Sequence, residues 1–189
     1  MNKIFEEFGI QIKKKDFRVK SKEATILFEG EQNKIDLSRY FFYRDGEKIV
    51  NHTRFKLIGN LQQKDISKLI TKAFYKQYKN CGIKKIELHA DDKIGGWAWA
   101  RYGFSISSKE EVKKLVSLNA SPKNKPLMEA IIDDYYKNEA KNDNAPFPMN
   151  KLAEHPEFKE DIISFDWWGF LDLTDKKQVK VFENYLDSK

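Results

Sequence analysis

Cysteine is almost missing from this chain: its 189 residues include one, Cys81. A single thiol excludes an internal disulfide framework and any zinc site built from several thiolates. Histidine is scarce as well, and His52, His89 and His155 show no HxxxH or HxH spacing, so a histidine-built metal centre is not expected. Long apolar runs are missing: nothing approaches the roughly 18 uncharged apolar residues of a membrane span. The opening Met1-Asn2-Lys3-Ile4-Phe5-Glu6-Glu7 has no signal-peptide core. These absences lead us to expect a soluble, cytoplasmic protein with no membrane association. Gly-x-Ser-x-Gly, Walker and Rossmann signatures are missing too, as are internal repeats and low-complexity tracts.

What is present is enough for a core. Hydrophobic residues make up 40% and aromatic residues 14% of the chain, which excludes wholesale disorder. The length allows one substantial domain, or one domain with an appended piece. The net charge of +6 is unevenly spread. Residues 121–189 carry 10 Lys against 14 Asp and Glu, a net of −4, which leaves +10 on the rest. Two halves that attract each other explain this asymmetry first, and a polyanionic ligand for the basic part second. Lys13-Lys14-Lys15 with Arg18, Lys20 and Lys22 offers cations to phosphates. Only Phe17 is interleaved there, so nucleic acid is a weak candidate beside solvated protection of a strand edge.

Along the chain, Phe17 to Glu29 alternates as a strand, and Ile35 to Tyr43 forms a second, aromatic-rich one. Arg44-Asp45-Gly46-Glu47 then marks a tight hairpin into a third run, Lys48 to Ile58. Together they imply an antiparallel meander. From Asp65 to Asn80 the period becomes helical through Ile66, Leu69, Ile70, Ala73 and Phe74, with Lys68, Lys72 and Lys76 on another face. Asp65 or Ser67 can cap its start and Gly82 its end. Cys81, between helix and glycine, reads as a small buried filler. Lys84 to Ala90 is a strand with Ile86, Leu88 and Ala90 on one side, so strand, helix and strand imply a parallel crossover. Gly95 to Phe104 reads as a short aromatic helix. Ser108 with Glu111 makes a capping box for the helix after it. Pro122 and Pro126 break a connection, Leu127 to about Lys141 is helical, and Lys141 to Pro148 is a loop. Ser164 to Leu173 is strongly aromatic, and a last helix starts at Asp175 with Gln178 as its capping partner.

Taken as one unit, Lys56 to Phe104 resembles the central half of the GNAT acetyltransferase superfamily. Gln62-Gln63-Lys64-Asp65-Ile66-Ser67 stands where that family turns into a helix N-terminus around a pyrophosphate. Gly82 to Leu88 corresponds to its next strand, and Trp99 through Gly103-Phe104 to its closing motif. The resemblance spans roughly residues 25 to 106. It extends, through His52, the Gly95–Phe104 run and Trp168-Gly169-Phe170-Leu171-Asp172-Leu173, to a GNAT-like branch met in phage and prophage genes. It implies an α/β fold with a GNAT-like, mixed, mostly antiparallel sheet flanked by helices. A GNAT-like domain over 1–120 would then carry a mainly helical extension, 121–189, packed on it.

The resemblance also implies acetyl-CoA or another acyl-CoA as cofactor, held by Gln62, Gln63, Lys64, Asp65, Ile66, Ser67 and Lys68. Two departures stand out. Asp65 and Ser67 replace the glycines that let backbone N–H groups approach a pyrophosphate, and the Asp65 carboxylate repels one. Trp99, four residues before Gly103, replaces the tyrosine that serves the family as general acid, and an indole has no such proton to give. A catalytic base would have to come from Glu87, His89 or His52. Two functions therefore stand side by side. One is an acyl-CoA-dependent N-acyltransferase acting on an amine-bearing substrate. The other is a non-catalytic, GNAT-derived binding protein of phage or mobile-element origin that engages a macromolecular partner.

Overall fold

The structure, a computed structural model, describes residues 12–20, 23–30, 35–57, 66–90 and 95–188. Their class is the expected α/β, with mixed, mostly antiparallel strands, flanking helices and a mainly helical C-terminal segment. No helix among the described residues is long and apolar enough to cross a membrane. The chain forms two compact units, Met1–Glu87 and Leu88–Lys189.

The first unit begins with β1 (Ile12–Lys20), β2 (Glu23–Gly30), β3 (Ile35–Arg44) and β4 (Glu47–Leu57), each antiparallel to the next. The run from Phe17 to Glu29, expected as one strand, is split into β1 and β2. The β3–β4 hairpin turns where the sequence places it, with Asp45 at φ 52° and Gly46 at φ 80°. These are the positive angles that match the twist of the flanking strands. Alternation along β3 buries Ile35, Leu37 and Arg39. The ladder slips opposite Arg39: Ser38 faces Arg54 but Tyr40 faces Asn51, so β4 bulges at His52 and Thr53.

Helix α1 (Ile66–Asn80) turns Ile66, Ile70, Phe74 and Tyr78 into the core, as its period predicts. It ends in a Schellman pair: the Gly82 N–H donates to the Lys79 carbonyl (3.1 Å) and the Ile83 N–H to the Tyr78 carbonyl (3.0 Å), with Gly82 at φ 70°. Cys81 in that turn is exposed, not buried filler. It follows the last helical residue and lies off the packed stripe. Strand β5 (Lys85–Ala90) enters beside β4, where the Lys84 N–H donates to the Lys48 carbonyl at 2.8 Å. The division between the two units falls within β5.

The second unit continues with α2 (Gly95–Arg101), β6 (Ser105–Ile106), α3 (Lys109–Asn119), α4 (Lys125–Asn138) and β7 (Phe147–Pro148). It closes with α5 (Asn150–Ala153), a 3-10 turn at Pro156–Phe158, α6 (Lys159–Ser164), β8 (Trp167–Asp172) and α7 (Lys176–Asp187). Its strand order is β5-β8-β6-β7, so the last strand inserts between two earlier ones. Residue 120 falls between α3 and α4. Pro126, expected as a breaker, sits in the first turn of α4, where its missing N–H costs no helical hydrogen bond. Ser108 caps α3 by accepting from the Glu111 N–H, while the Glu111 carboxylate takes the Ser107 hydroxyl. Asp175 alone caps α7. The Gln178 side chain instead accepts from the Asp172 N–H (2.7 Å) and donates to the Ser105 hydroxyl, tying β8 to β6. Asp161 in α6 accepts from the Ser121 N–H (2.6 Å), the Ser121 hydroxyl (3.2 Å) and the Asn124 amide (2.6 Å), which anchors the turn between α3 and α4.

Gly96 lets α2 lie against the backbone of α6. A Cβ there would stand 2.5 Å from the Ile162 carbonyl oxygen, whereas a Cβ at Gly82 would meet open space. Alanine in place of a helical glycine normally gains about 0.5–1 kcal/mol. For Gly96→Ala the sign reverses, with an expected loss of about 1–3 kcal/mol from forced backbone shifts. Gly82→Ala should cost only the left-handed strain, about 1–2 kcal/mol or less. Chemical-denaturation midpoints of the two variants check this ordering.

Candidate functional site

The three residues proposed as bases have three different surroundings. His52 lies at the β4 bulge, 5% exposed, with Nε2 3.0 Å from the Tyr78 hydroxyl. Burial pushes its pKa well below the ordinary 6.5, and the neighbouring Arg39 charge lowers it further. Burial also raises the Tyr78 phenol to about 12, so both groups are neutral. This is a buried, uncharged imidazole packed against the Tyr78 ring, which Phe41 and Phe74 pack in turn, rather than one open to a ligand.

Glu87 sits on β5 in a two-point ion pair with Arg44, at 2.8 and 3.0 Å. The Arg44 guanidinium also lies 5.1 Å over the Phe42 ring. Fork-to-carboxylate geometry of this kind fixes the carboxylate's orientation and occupies both of its oxygens.

His89 is arranged differently. Burial of Ile86, Leu88 and Ala90 on one side of β5 puts its side chain on the other. Its Nε2 lies 2.5 Å from Asp166 Oδ1, just ahead of β8. The ring stacks on Trp168, centroids 4.4 Å apart and planes 15° apart. The imidazole is 34% exposed, the Asp166 carboxylate 72% and the Trp168 residue 64%. With an ionised carboxylate as partner, Nε2 is the nitrogen that donates. A carboxylate in that position fixes the orientation and tautomer of an imidazole.

Of the proposed pyrophosphate loop, Gln62, Gln63, Lys64 and Asp65 lie outside the described residues. Ile66, Ser67 and Lys68 form the first turn of α1, which contains no acidic residue. Ile66 is fully buried, so it offers a ligand only its backbone, while Ser67 and Lys68 are half-buried. The first-turn N–H groups of a 15-residue helix lack i−4 partners and carry partial positive charge. Trp99 is core, packed against Tyr102 (5.4 Å) and Phe104 (5.3 Å). The side chains of the lysine cluster at 13–15 lie outside the described residues.

Sequence reasoning missed Asp166 and Trp168 as partners of His89, and Arg39 altogether. The period of two in β8 is a usable signal, because it buries Trp167 and turns Trp168 outward. The same period along Ile35, Leu37 and Arg39 carries the arginine inward. Among the described residues no three His, Cys, Asp or Glu side chains are grouped as metal ligands would be. Compared with known proteins, the chain matches no family model and no curated protein.

Stability should report the state of His52. Above pH 6.5 neither folded nor unfolded chain protonates it, and its contribution is constant. Below that, the unfolded chain takes up a proton that the buried ring refuses, so stability falls by up to about 1.4 kcal/mol per pH unit. Urea unfolding of the wild type and His52→Gln between about pH 7.5 and 5.5 is expected to show this extra slope only in the wild type.

Proposed function

We propose that the chain is an acyl-CoA-dependent N-acyltransferase of GNAT type. One observation carries the reading: the pairing of His89 with Asp166 on the open side of β5. Supporting it is the strand–helix–strand order β4–α1–β5. An acyl thioester, when bound, supplies the activated carbonyl. His89 takes the proton from the substrate amine as the new C–N bond forms and the C–S bond breaks. Asp166 holds the ring in place. With Trp99 in the core, no side chain of the closing helix protonates the departing thiolate, which draws its proton from water.

A second reading has its own support. Trp168 presents a large apolar ring to solvent beside the His89–Asp166 pair, as a contact residue for a macromolecular partner would. Asp65, standing in the sequence where the family has a glycine, also favours a GNAT-derived binding protein.

Calorimetry with acetyl-CoA separates the two. Micromolar binding is expected. His89→Ala should leave that binding intact while lowering transfer to an amine by about 10²–10⁴-fold and flattening the pH–rate profile. No heat at millimolar acetyl-CoA would sink the enzyme reading and leave the partner reading standing.

A further inference from the structure

An open cavity of about 360 Å³ lies in the second unit, between α4 and the segment that starts with α5. Its floor is apolar, made by Ala130 and Ile131, and the Tyr135 ring one turn further along α4 forms a wall. That ring is held in place: its hydroxyl donates to the Pro146 carbonyl at 2.9 Å, and Phe147 meets it edge-on at 5.3 Å. The rim is acidic. Asp134, Glu139 and Glu154 line it against one ammonium, that of Lys151, which leaves a surplus of two negative charges. His155, also on the lining, stacks on Phe158 and has the Glu157 carboxylate 3.5 Å from Nδ1, so protonating it would still leave carboxylates in excess. Burial, and then the Glu139 and Asp175 carboxylates, raise the Tyr135 phenol above its ordinary pKa, in keeping with a negative potential at this wall.

The three carboxylates differ in what they meet. Glu139 takes the Lys151 ammonium at 2.6 Å, and the same ammonium stands 5.5 Å over the Tyr135 ring. The protein therefore already lays one alkylammonium group of its own against these walls. Asp134 and Glu154 meet only neutral amides among the described residues, those of Asn138 at 2.7 Å and Asn150 at 3.0 Å. Carboxylates on a helix surface are ordinarily solvated, but here they border a recess with an apolar floor, of a volume that suits a small ligand. A cationic head on a methylene tail answers both parts of that surface, as the lysine side chain itself does. We propose that this cavity binds a second primary alkylammonium group, carried by a free aliphatic amine or by a lysine side chain. The tail covers Ala130 and Ile131, and the head donates its N–H groups to Asp134 and Glu154. This site is independent of the acyltransferase reading and stands or falls separately from it.

The test uses the full chain with labelled isoleucine methyl groups, titrated with n-butylammonium chloride against sodium chloride at matched ionic strength. At about pH 7 the amine is fully protonated. The Ile131 methyl resonance is expected to shift saturably, with a dissociation constant of about 1–10 mM for so small a probe. n-Butanol has the tail without the charge, and tetramethylammonium has the charge without N–H donors. Both should bind about tenfold more weakly or worse. Glu154→Gln and Asp134→Asn keep the size of the side chain and should each weaken binding about three- to fivefold, while Glu110→Gln on α3 should leave it unchanged. Cadaverine and Nα-acetyl-lysine amide separate the two sources: tighter binding of the first assigns a free amine, and of the second a lysine side chain. An Ile131 methyl that ignores butylammonium up to about 100 mM, a range in which even weak specific sites fill, overturns the proposal. Butanol binding as tightly as the amine overturns it too, as does equal butylammonium binding by wild type and both folded carboxamide variants.

Discussion

The period of two along β5 is the constraint on which the chemistry of this chain depends. Ile86, Leu88 and Ala90 are each 1% exposed, and that packing leaves Lys85, Glu87 and His89 no choice of side. A slip of one residue would drive an imidazole and a carboxylate into the core and expose three apolar side chains, which the burial energetics forbid. The strand then separates its two titratable groups by what each meets. Glu87 meets an arginine fork that fixes its orientation. His89 meets a carboxylate on the turn before β8 and a stacked indole. Neighbouring positions on one face thus come to differ completely in what they can do.

The first unit shows the same alternation accommodating a charge. Position 39 belongs to the buried face of β3, and the chain fills it with arginine rather than an aliphatic residue. Several features fit around that choice. The β4 bulge brings a second carbonyl to Nη1, two phenylalanines pack against the guanidinium, and His52 is kept neutral beside it. An arginine shielded in this way keeps the electrostatic reach of a cation while losing almost all contact with water.

Much of the fold is written in local chemistry that a reader of the sequence can use. Asp45-Gly46 fixes the hairpin, Gly82 ends α1, Ser108 and Asp175 start helices, and each acts through a neighbour a few residues away. Pro126 misleads because one residue type both stops helices and starts them, and only the three-dimensional path decides which. The split of the Phe17–Glu29 run is equally hidden, since both halves alternate alike. The site is harder to read. Asp166 is 77 residues from His89, and only the insertion of β8 beside β5 joins them. Gln178 looks like a cap because it lies three residues after Asp175, yet its amide reaches across to Ser105, a contact that sequence distance conceals. Arg39 was legible in principle through the period of its strand, but what surrounds its guanidinium depends on the partner strand and α1.

The position of Cys81 gives the near-absence of cysteine a practical meaning. The one thiol stands at the surface, in the turn that closes α1, with its own carbonyl held by the Lys48 ammonium at 3.0 Å. The natural chain is therefore already singly addressable. A maleimide fluorophore or spin label can be attached at one defined place with no background and no engineered substitution. Four tryptophans are built in as energy-transfer donors to such a dye, and the outward-facing Trp168 among them can be removed to tell its signal from the rest.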